Sequence, residues 1–302
     1  MTEALIECVP NFSEGRRVEV IDAITDAIQA VEGVRVLDRH IDADHHRSVI
    51  TFVGPPEPIL QAAFAAMATA AELIDLNQHQ GEHPRIGATD VLPFVPMAGA
   101  TLADCVGLAQ RLGERVGREL GLPVYLYEAA ATRESRRNLA DVRRGQYENL
   151  REWVLTDPAY TPDFGPSVLG PAGATAIGAR RPLIAYNVYL TTDDVTIARK
   201  IAETVRFSGG GLACVKALGL MVDGRAQVSM NFTDFQRTGL AQTVEMIRRE
   251  AARYGTAIHH TELVGLIPQQ ALIDAARWYL QLDDFHEDQI LENRLYDVRL
   301  IE

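Results

Sequence analysis

The chain has 302 residues, 47% of them hydrophobic and 23% charged, which suffices for a substantial core divided over two domains or subdomains. A net charge of −12 excludes the broad basic face that nucleic acid requires, so an anionic ligand must be met by arginines gathered locally. Three widely spaced cysteines (Cys8, Cys105, Cys214) offer neither a disulfide framework nor a CxxC metal site and predict a reducing compartment.

Residues 5–9 form a short apolar run ending at Pro10, a predicted strand. The run begins among Glu3 and Glu7, unlike a signal peptide. Residues 17–31 place Val18, Ile21, Ile24, Ile28 and Val31 at three- and four-residue steps, an amphipathic helix stopped by Gly33. Residues 34–41 and 48–53 are β-branched runs around a polar loop and predict paired strands. An alanine-rich helix runs from Pro55-Pro56 to about Asp75, with Gln61 and Glu72 interrupting its apolar residues, so no membrane span is predicted. A strand at 91–95, a helix at 101–120 stopped by Gly121, and a strand at 123–127 follow. From 132 to 173 the periodicity fades into a proline-rich region, predicted as loop with one helix over 148–154. It resumes with a strand (183–190), a helix (193–206) and two strands (214–222, 226–232) joined by an Asp223-Gly224 turn. A helix (238–254), a strand (257–263) and a helix (268–279) complete the chain, and Ser208-Gly209-Gly210-Gly211 reads as a turn after a helix. Both halves, 1–180 and 181–302, therefore read strand–helix–strand–strand–helix–strand. That is an α+β class of two ferredoxin-like (split βαβ) subdomains, with antiparallel sheets and a ligand cleft or tunnel between the halves.

The stretch His79-Gln80-Gly81-Glu82-His83-Pro84-Arg85 concentrates two imidazoles, a carboxylate and a guanidinium around residues unsuited to a helix interior. Histidine exchanges a proton near neutral pH, which makes the loop a candidate for acid–base chemistry, although a plain polar surface loop has the same composition. Zinc is a second reading, because His79, Glu82 and His83 match H-x-x-E-H, but Gly81 and Pro84 break the helix that pattern needs. Asp42-Ala43-Asp44-His45-His46 suggests a manganese phosphoesterase, with no second acidic constellation in support. A polar hairpin turn whose aspartates bond backbone N–H groups accounts for the same residues.

The sequence resembles the formiminotransferase domain family along nearly its whole length. The resemblance rests on Glu7-Cys8-Val9-Pro10-Asn11-Phe12-Ser13-Glu14-Gly15, Thr51-Phe52-Val53-Gly54-Pro55-Pro56, the His79 to Arg85 stretch, and Pro123-Val124-Tyr125-Leu126-Tyr127. It continues through Asp163-Phe164-Gly165-Pro166-Ser167, Gly173-Ala174-Thr175-Ala176-Ile177-Gly178-Ala179-Arg180 and Leu263-Val264-Gly265-Leu266-Ile267-Pro268. It implies two ferredoxin-like subdomains, a homodimer, and transfer of a formimino group from N-formimino-L-glutamate to N5 of tetrahydrofolate in histidine degradation, without a metal. It also implies that His83 is the catalytic base, and that Gly165, Pro166, Ser167, Val168, Leu169, Gly170, Pro171, Ala172 and Gly173 form the folate-contacting loop. Two departures stand out: this loop is one residue shorter than the family pattern, and Gln80 replaces an expected lysine. The chain ends where a bifunctional relative continues into a cyclodeaminase, so that activity is expected on a separate protein.

The residue chemistry agrees. One proton leaves the attacking nitrogen and one reaches the departing nitrogen, and a single imidazole, His83, can carry both. Arg85 is a candidate for a substrate carboxylate. Glu82 is a candidate for orienting a histidine, while His40 and His79 are expected to line the site or fill structural hydrogen bonds. Arg180, Arg181 and Arg206 are candidates for the folate glutamate tail. Other activities fit the residues less well: formyl transfer between 5-formyltetrahydrofolate and glutamate, a silent folate-binding protein, or a metal-dependent hydrolase. The protein is expected in the cytoplasm, without nucleic-acid or membrane partners.

Overall fold

The structure, a computed structural model, describes residues 4–81 and 84–297. It divides into two units, 1–182 and 183–302. In the first unit β1 (Ile6–Cys8) and β2 (Asn11–Phe12) form one interrupted strand, since each pairs with both of the same neighbours. The break falls at Pro10, which has no N–H to give the ladder. The chain continues through α1 (Val18–Gln29), β3 (Arg35–Asp42), β4 (Arg47–Gly54), α2 (Pro56–Leu73), β5 (Thr89–Pro96), α3 (Leu102–Glu119) and β6 (Val124–Glu128). Two short helices, α4 (Leu139–Val142) and α5 (Gln146–Thr156), precede β7 (Thr175–Ala179).

Across the sheet the order is β3, β4, then β1 and β2, then β5, β7, β6. Pairing is antiparallel as far as β5, but β5–β7 and β6–β7 are parallel, which departs from the expected all-antiparallel sheets. The reason is α3, a crossover that returns the chain in the direction of β5, so that β7 enters between the two. The apolar stripe of α1 (Ile21, Ile24, Ile28) is fully buried, and α1 packs on α2, which packs on α3. Residues of β4 alternate: Ile50 and Phe52 join this core, whereas Arg47, Val49 and Thr51 lie on the opposite face. Helix α3 begins with a capping box, Thr101 Oγ1 accepting from the Asp104 N–H at 3.2 Å and Asp104 accepting from the Thr101 N–H at 2.8 Å.

The region predicted as mostly loop is more helical than expected. Besides α4, α5 starts at Gln146, two residues before the predicted helix, after Gly145 in the left-handed region at φ 88°. Its buried residues Tyr147, Leu150 and Val154 recur at helical spacing.

The second unit contains β8 (Ile184–Leu190), α6 (Val195–Val205), β9 (Val215–Val222), β10 (Arg225–Phe232), α7 (Leu240–Arg253), β11 (Ile258–Val264), α8 (Gln269–Leu280) and α9 (Leu291–Asp297). Its sheet has the order β11, β8, β10, β9 and is antiparallel throughout. The Asp223-Gly224 turn has positive φ at both residues (48° and 71°), as a two-residue hairpin needs. Ile201, Val228, Phe232 and Ile247 centre its own core. Among the described residues no helix is long and apolar enough to cross a membrane.

Candidate active site

The site lies in the first unit, where the loop after α2 meets the β3–β4 turn and the first turn of α5. His79 and Arg85 are buried there, at 7% and 8% exposure, unusual for a polar loop. Arg85 Nε donates to His79 Nδ1 at 3.1 Å, and His79 Nε2 sits 2.9 Å from the His46 carbonyl. Because arginine only donates and a carbonyl only accepts, His79 must be the neutral tautomer protonated at Nε2. Burial pushes its pKa below the ordinary histidine value, in the same direction. Both ring nitrogens are thus engaged, and neither is available to ligate a metal. Among the described residues no group of three or more His, Cys, Asp or Glu side chains is placed to hold an ion.

All five N–H donors of Arg85 are in use. Besides His79 Nδ1, they reach Glu148 Oε1 at 2.6 Å, Glu148 Oε2 at 2.9 Å, Gln146 Oε1 at 3.2 Å and the His79 carbonyl at 3.4 Å. Its hydrogen bond to Arg85 holds the Glu148 carboxyl below the usual range. Arg85, expected to meet a substrate carboxylate, has two of these donors on the Glu148 carboxylate. The Arg85 carbonyl also accepts from the Tyr147 N–H at 3.0 Å, so α5 grips this residue at both ends.

His46 stacks on His79, with ring centroids 4.2 Å apart and planes 8° from parallel. Its Nδ1 lies 2.9 Å from the Gln80 carbonyl and its Nε2 3.0 Å from Glu14 Oε1. Glu14 is 1% exposed, and its Oε1 also accepts the backbone N–H groups of Gly15, Arg16 and Arg17 just before α1. Burial alone would raise this carboxyl, but the N–H groups of Arg17 and Arg16 and the Arg17 guanidinium at 2.6 Å outweigh it and bring the pKa to about 2. Gly81 is required by packing: a Cβ there would come within 2.6 Å of the His45 carbonyl oxygen and 2.7 Å of His46 Cβ. The Asp42–His46 turn is the polar hairpin turn expected as an alternative to a metal site. Asp42 Oδ1 accepts the N–H groups of Asp44 (3.0 Å) and His45 (2.8 Å), and Oδ2 accepts from His45 Nδ1 at 2.6 Å.

Glu82 and His83 lie outside the described residues. His40 stands in register with Val49, on the sheet face opposite Ile50 and Phe52, and is not among the described residues that line the cleft. On that same face Arg47 Nε reaches Asn11 Oδ1 at 2.9 Å, and Asp42, also there, is in register with Arg47. Burial, reinforced by Arg143, pushes the Arg47 pKa down to about 9. Asp90, 2% exposed, takes Arg143 Nη2 at 2.5 Å and the Ile86 N–H at 3.0 Å, which anchors the chain just after Arg85.

The 165–173 loop joins the same assembly. The Pro171 carbonyl accepts from the Leu76 N–H and the Ala172 carbonyl from the Ala88 N–H, both at 2.8 Å. The Tyr147 hydroxyl donates to the Gly170 carbonyl at 3.2 Å, linking this loop to the helix that holds Arg85. Leu169 anchors the loop at 6% exposure, whereas Val168 is 54% exposed and the space beside Gly170 is open. The root of the loop is held by Asp163, which pairs with Arg136 at 2.6 Å. Of the other arginines considered, Arg206 pairs with Glu203 and Arg180 donates to the Arg181 carbonyl.

A cleft of about 570 Å³ opens beside His79, Gln80 and Gly81, with Arg16 and Asp44 on one wall and Arg85, Gln146 and Glu148 on the other. Glu148, Gln146, Glu14 and His46 escaped the sequence reading as site residues. Glu148 makes its contact 63 residues away from Arg85, beyond any local pattern, but Glu14 and His46 lie inside stretches already singled out.

An α+β chain in two units, with a stacked imidazole pair (His79 buried, His46 half-buried) and a largely polar cleft on the first, defines a protein equipped to handle small charged molecules. The profile of the formiminotransferase domain, N-terminal subdomain, matches residues 5–180, and that of the formiminotransferase domain matches residues 185–298. The chain belongs to this family. It is 50% identical to the glutamate formimidoyltransferase of Thermoplasma acidophilum, with 97% of each chain covered. It is 49% identical to that of Streptococcus pyogenes serotype M1, over 96% of this chain and 98% of the relative. It is 44% identical to the formimidoyltransferase-cyclodeaminase of Sus scrofa, over 96% of this chain and 56% of that protein.

Proposed function

We propose that this chain is a glutamate formimidoyltransferase of histidine degradation, moving the formimino group of N-formimino-L-glutamate to N5 of tetrahydrofolate. The observation that carries the reading is end-to-end identity near one half with relatives bearing that name. N5 attacks the amidine carbon, forming a C–N bond and a tetrahedral intermediate; collapse breaks the bond to the glutamate nitrogen. His83 accepts the proton from N5 and returns it to the departing nitrogen. Its loop is braced on one side by the saturated Arg85–Glu148 pair and on the other by the Glu14–His46–His79 stack. That bracing holds Gly81 and Arg85, described residues on either side of His83 in sequence. Arg85 thereby acts as a brace, and Glu82 as an orienting group.

Folate is assigned to the 165–173 loop, where an exposed Val168 and the open space beside Gly170 suit a flat ring. The two units, taken as subdomains 1–180 and 181–302, are read as ferredoxin-like, a reading supported by their strand orders. We assign the protein to the cytoplasm as a homodimer that takes no metal.

A spectroscopic assay with tetrahydrofolate and formiminoglutamate, run beside N-formylglutamate and repeated after exhaustive chelation, tests the reading. The expected result is turnover of the formimino donor with chelated protein, abolished in His83→Ala while folate affinity persists. Absence of turnover refutes the activity, loss on chelation refutes metal-free chemistry, and equal loss of folate affinity refutes the proton-carrier role.

A further inference from the structure

Among the described residues two guanidinium groups line the cleft, and one of them has donors left. Arg85 spends all five on His79, Gln146 and Glu148. Arg16 is held differently. Its backbone N–H donates to Glu14 Oε1 at 2.9 Å and its side-chain Nε to the Ala43 carbonyl at 3.0 Å. Among the described residues nothing bonds its two terminal amino groups, and the residue lines the same cleft. A guanidinium tethered through Nε, with both Nη groups open, presents two parallel N–H bonds to a carboxylate with part of its ordering cost already met. The start of α1 is no rival for such an anion, because Glu14 already takes the N–H groups of Gly15, Arg16 and Arg17.

We propose that Arg16 binds a carboxylate of the glutamyl donor in this cleft, an inference that rests on the formimidoyl-transfer reading. A glutamate-type carboxylate has two sources in that reaction, the donor itself and the glutamate tail of folate. The lining decides between them. Its described side chains are all charged or amide-bearing or imidazole, with Gly81 the exception, and none offers an apolar wall to the aromatic ring that leads to the folate tail. The carboxylate of Asp44 supplies the opposite charge, which suits the formamidinium end of the donor. Arg85 thus fixes the loop while Arg16 recognises the substrate.

Steady-state kinetics of Arg16→Ala and Arg16→Lys test this, with donor and tetrahydrofolate varied separately. A charge-assisted bidentate contact predicts a donor KM raised roughly 10- to 150-fold in Arg16→Ala. Arg16→Lys recovers part of the loss, and the folate KM moves less than about twofold. Donors amidated at the α- or the γ-carboxylate locate the contact: for one of the two, the wild-type KM is already raised and does not rise further in Arg16→Ala. Turnover by the wild type with an unchanged donor KM in Arg16→Ala overturns the proposal, as does a rise confined to folate. A wild type inactive with formiminoglutamate overturns the transferase reading itself, and this proposal with it.

Discussion

Replacing Glu14 by glutamine removes a buried charge that ties the start of α1 to His46 while keeping an oxygen for the backbone N–H groups. The carboxyl titrates at about 2 in the folded protein against an ordinary value of 4.5, and each unit is worth about 1.4 kcal/mol. Its ionised form therefore adds about 3 kcal/mol of stability near neutral pH. Because the folded pKa is depressed, that contribution is whole above about pH 4.5, falls to about 1.5 kcal/mol at pH 3, and disappears as the pH approaches 2. The carboxylate is buried, but the Arg17 guanidinium that pairs with it is half exposed, so solvent screening makes this figure an upper bound. Urea unfolding of wild type and Glu14→Gln at pH 7, 5, 4 and 3 reads the difference directly. The expected curve is flat from pH 7 to 5 and then converges. A difference that stays constant down to pH 3 would show that this carboxylate does not titrate as a depressed, hydrogen-bonded acid, and the electrostatic account of the His46 brace would fail.

Gly81→Ala places a Cβ against the His45 carbonyl and His46 Cβ, and the loop must shift to admit it. Overpacking of this kind costs about 1–3 kcal/mol, and displacement of the His83 loop lowers kcat/KM roughly 100-fold; a variant with wild-type kcat/KM would refute the positional argument. Glu148→Ala leaves the buried Arg85 guanidinium without its carboxylate. The expected destabilisation is about 1–2 kcal/mol by urea unfolding, below the value for a fully enclosed pair because the Glu148 side chain is 59% exposed. No change on that measurement would remove Arg85 from its bracing role.

Most elements were legible because their signals are local. Ile21, Ile24 and Ile28 mark a helical face wherever it packs, and Asp223-Gly224 forces a hairpin through its backbone angles alone. Strand β7 was hidden by its composition: Thr175-Ala176-Ile177-Gly178-Ala179 is short, small and buried throughout, with no alternation to reveal it. Gly178 is small because Tyr127 of β6 lies against it, a constraint that exists only once the two strands are paired in parallel. The early start of α5 was equally invisible, since it follows left-handed Gly145 inside a stretch rich in arginine and proline.

The amino-acid order by itself determined the α+β class, the division into halves, the family resemblance, and the concentration of proton-handling residues between His79 and Arg85. The tertiary structure alone decided what those side chains do to one another. It gave Arg85 a partner in Glu148, fixed His79 as a neutral tautomer and, among the described residues, left the terminal amino groups of Arg16 unbonded. The physical reason is that backbone periodicity is written in neighbours a few residues apart. The state of a guanidinium or an imidazole depends instead on which donors and acceptors long-range packing brings within 3 Å of it.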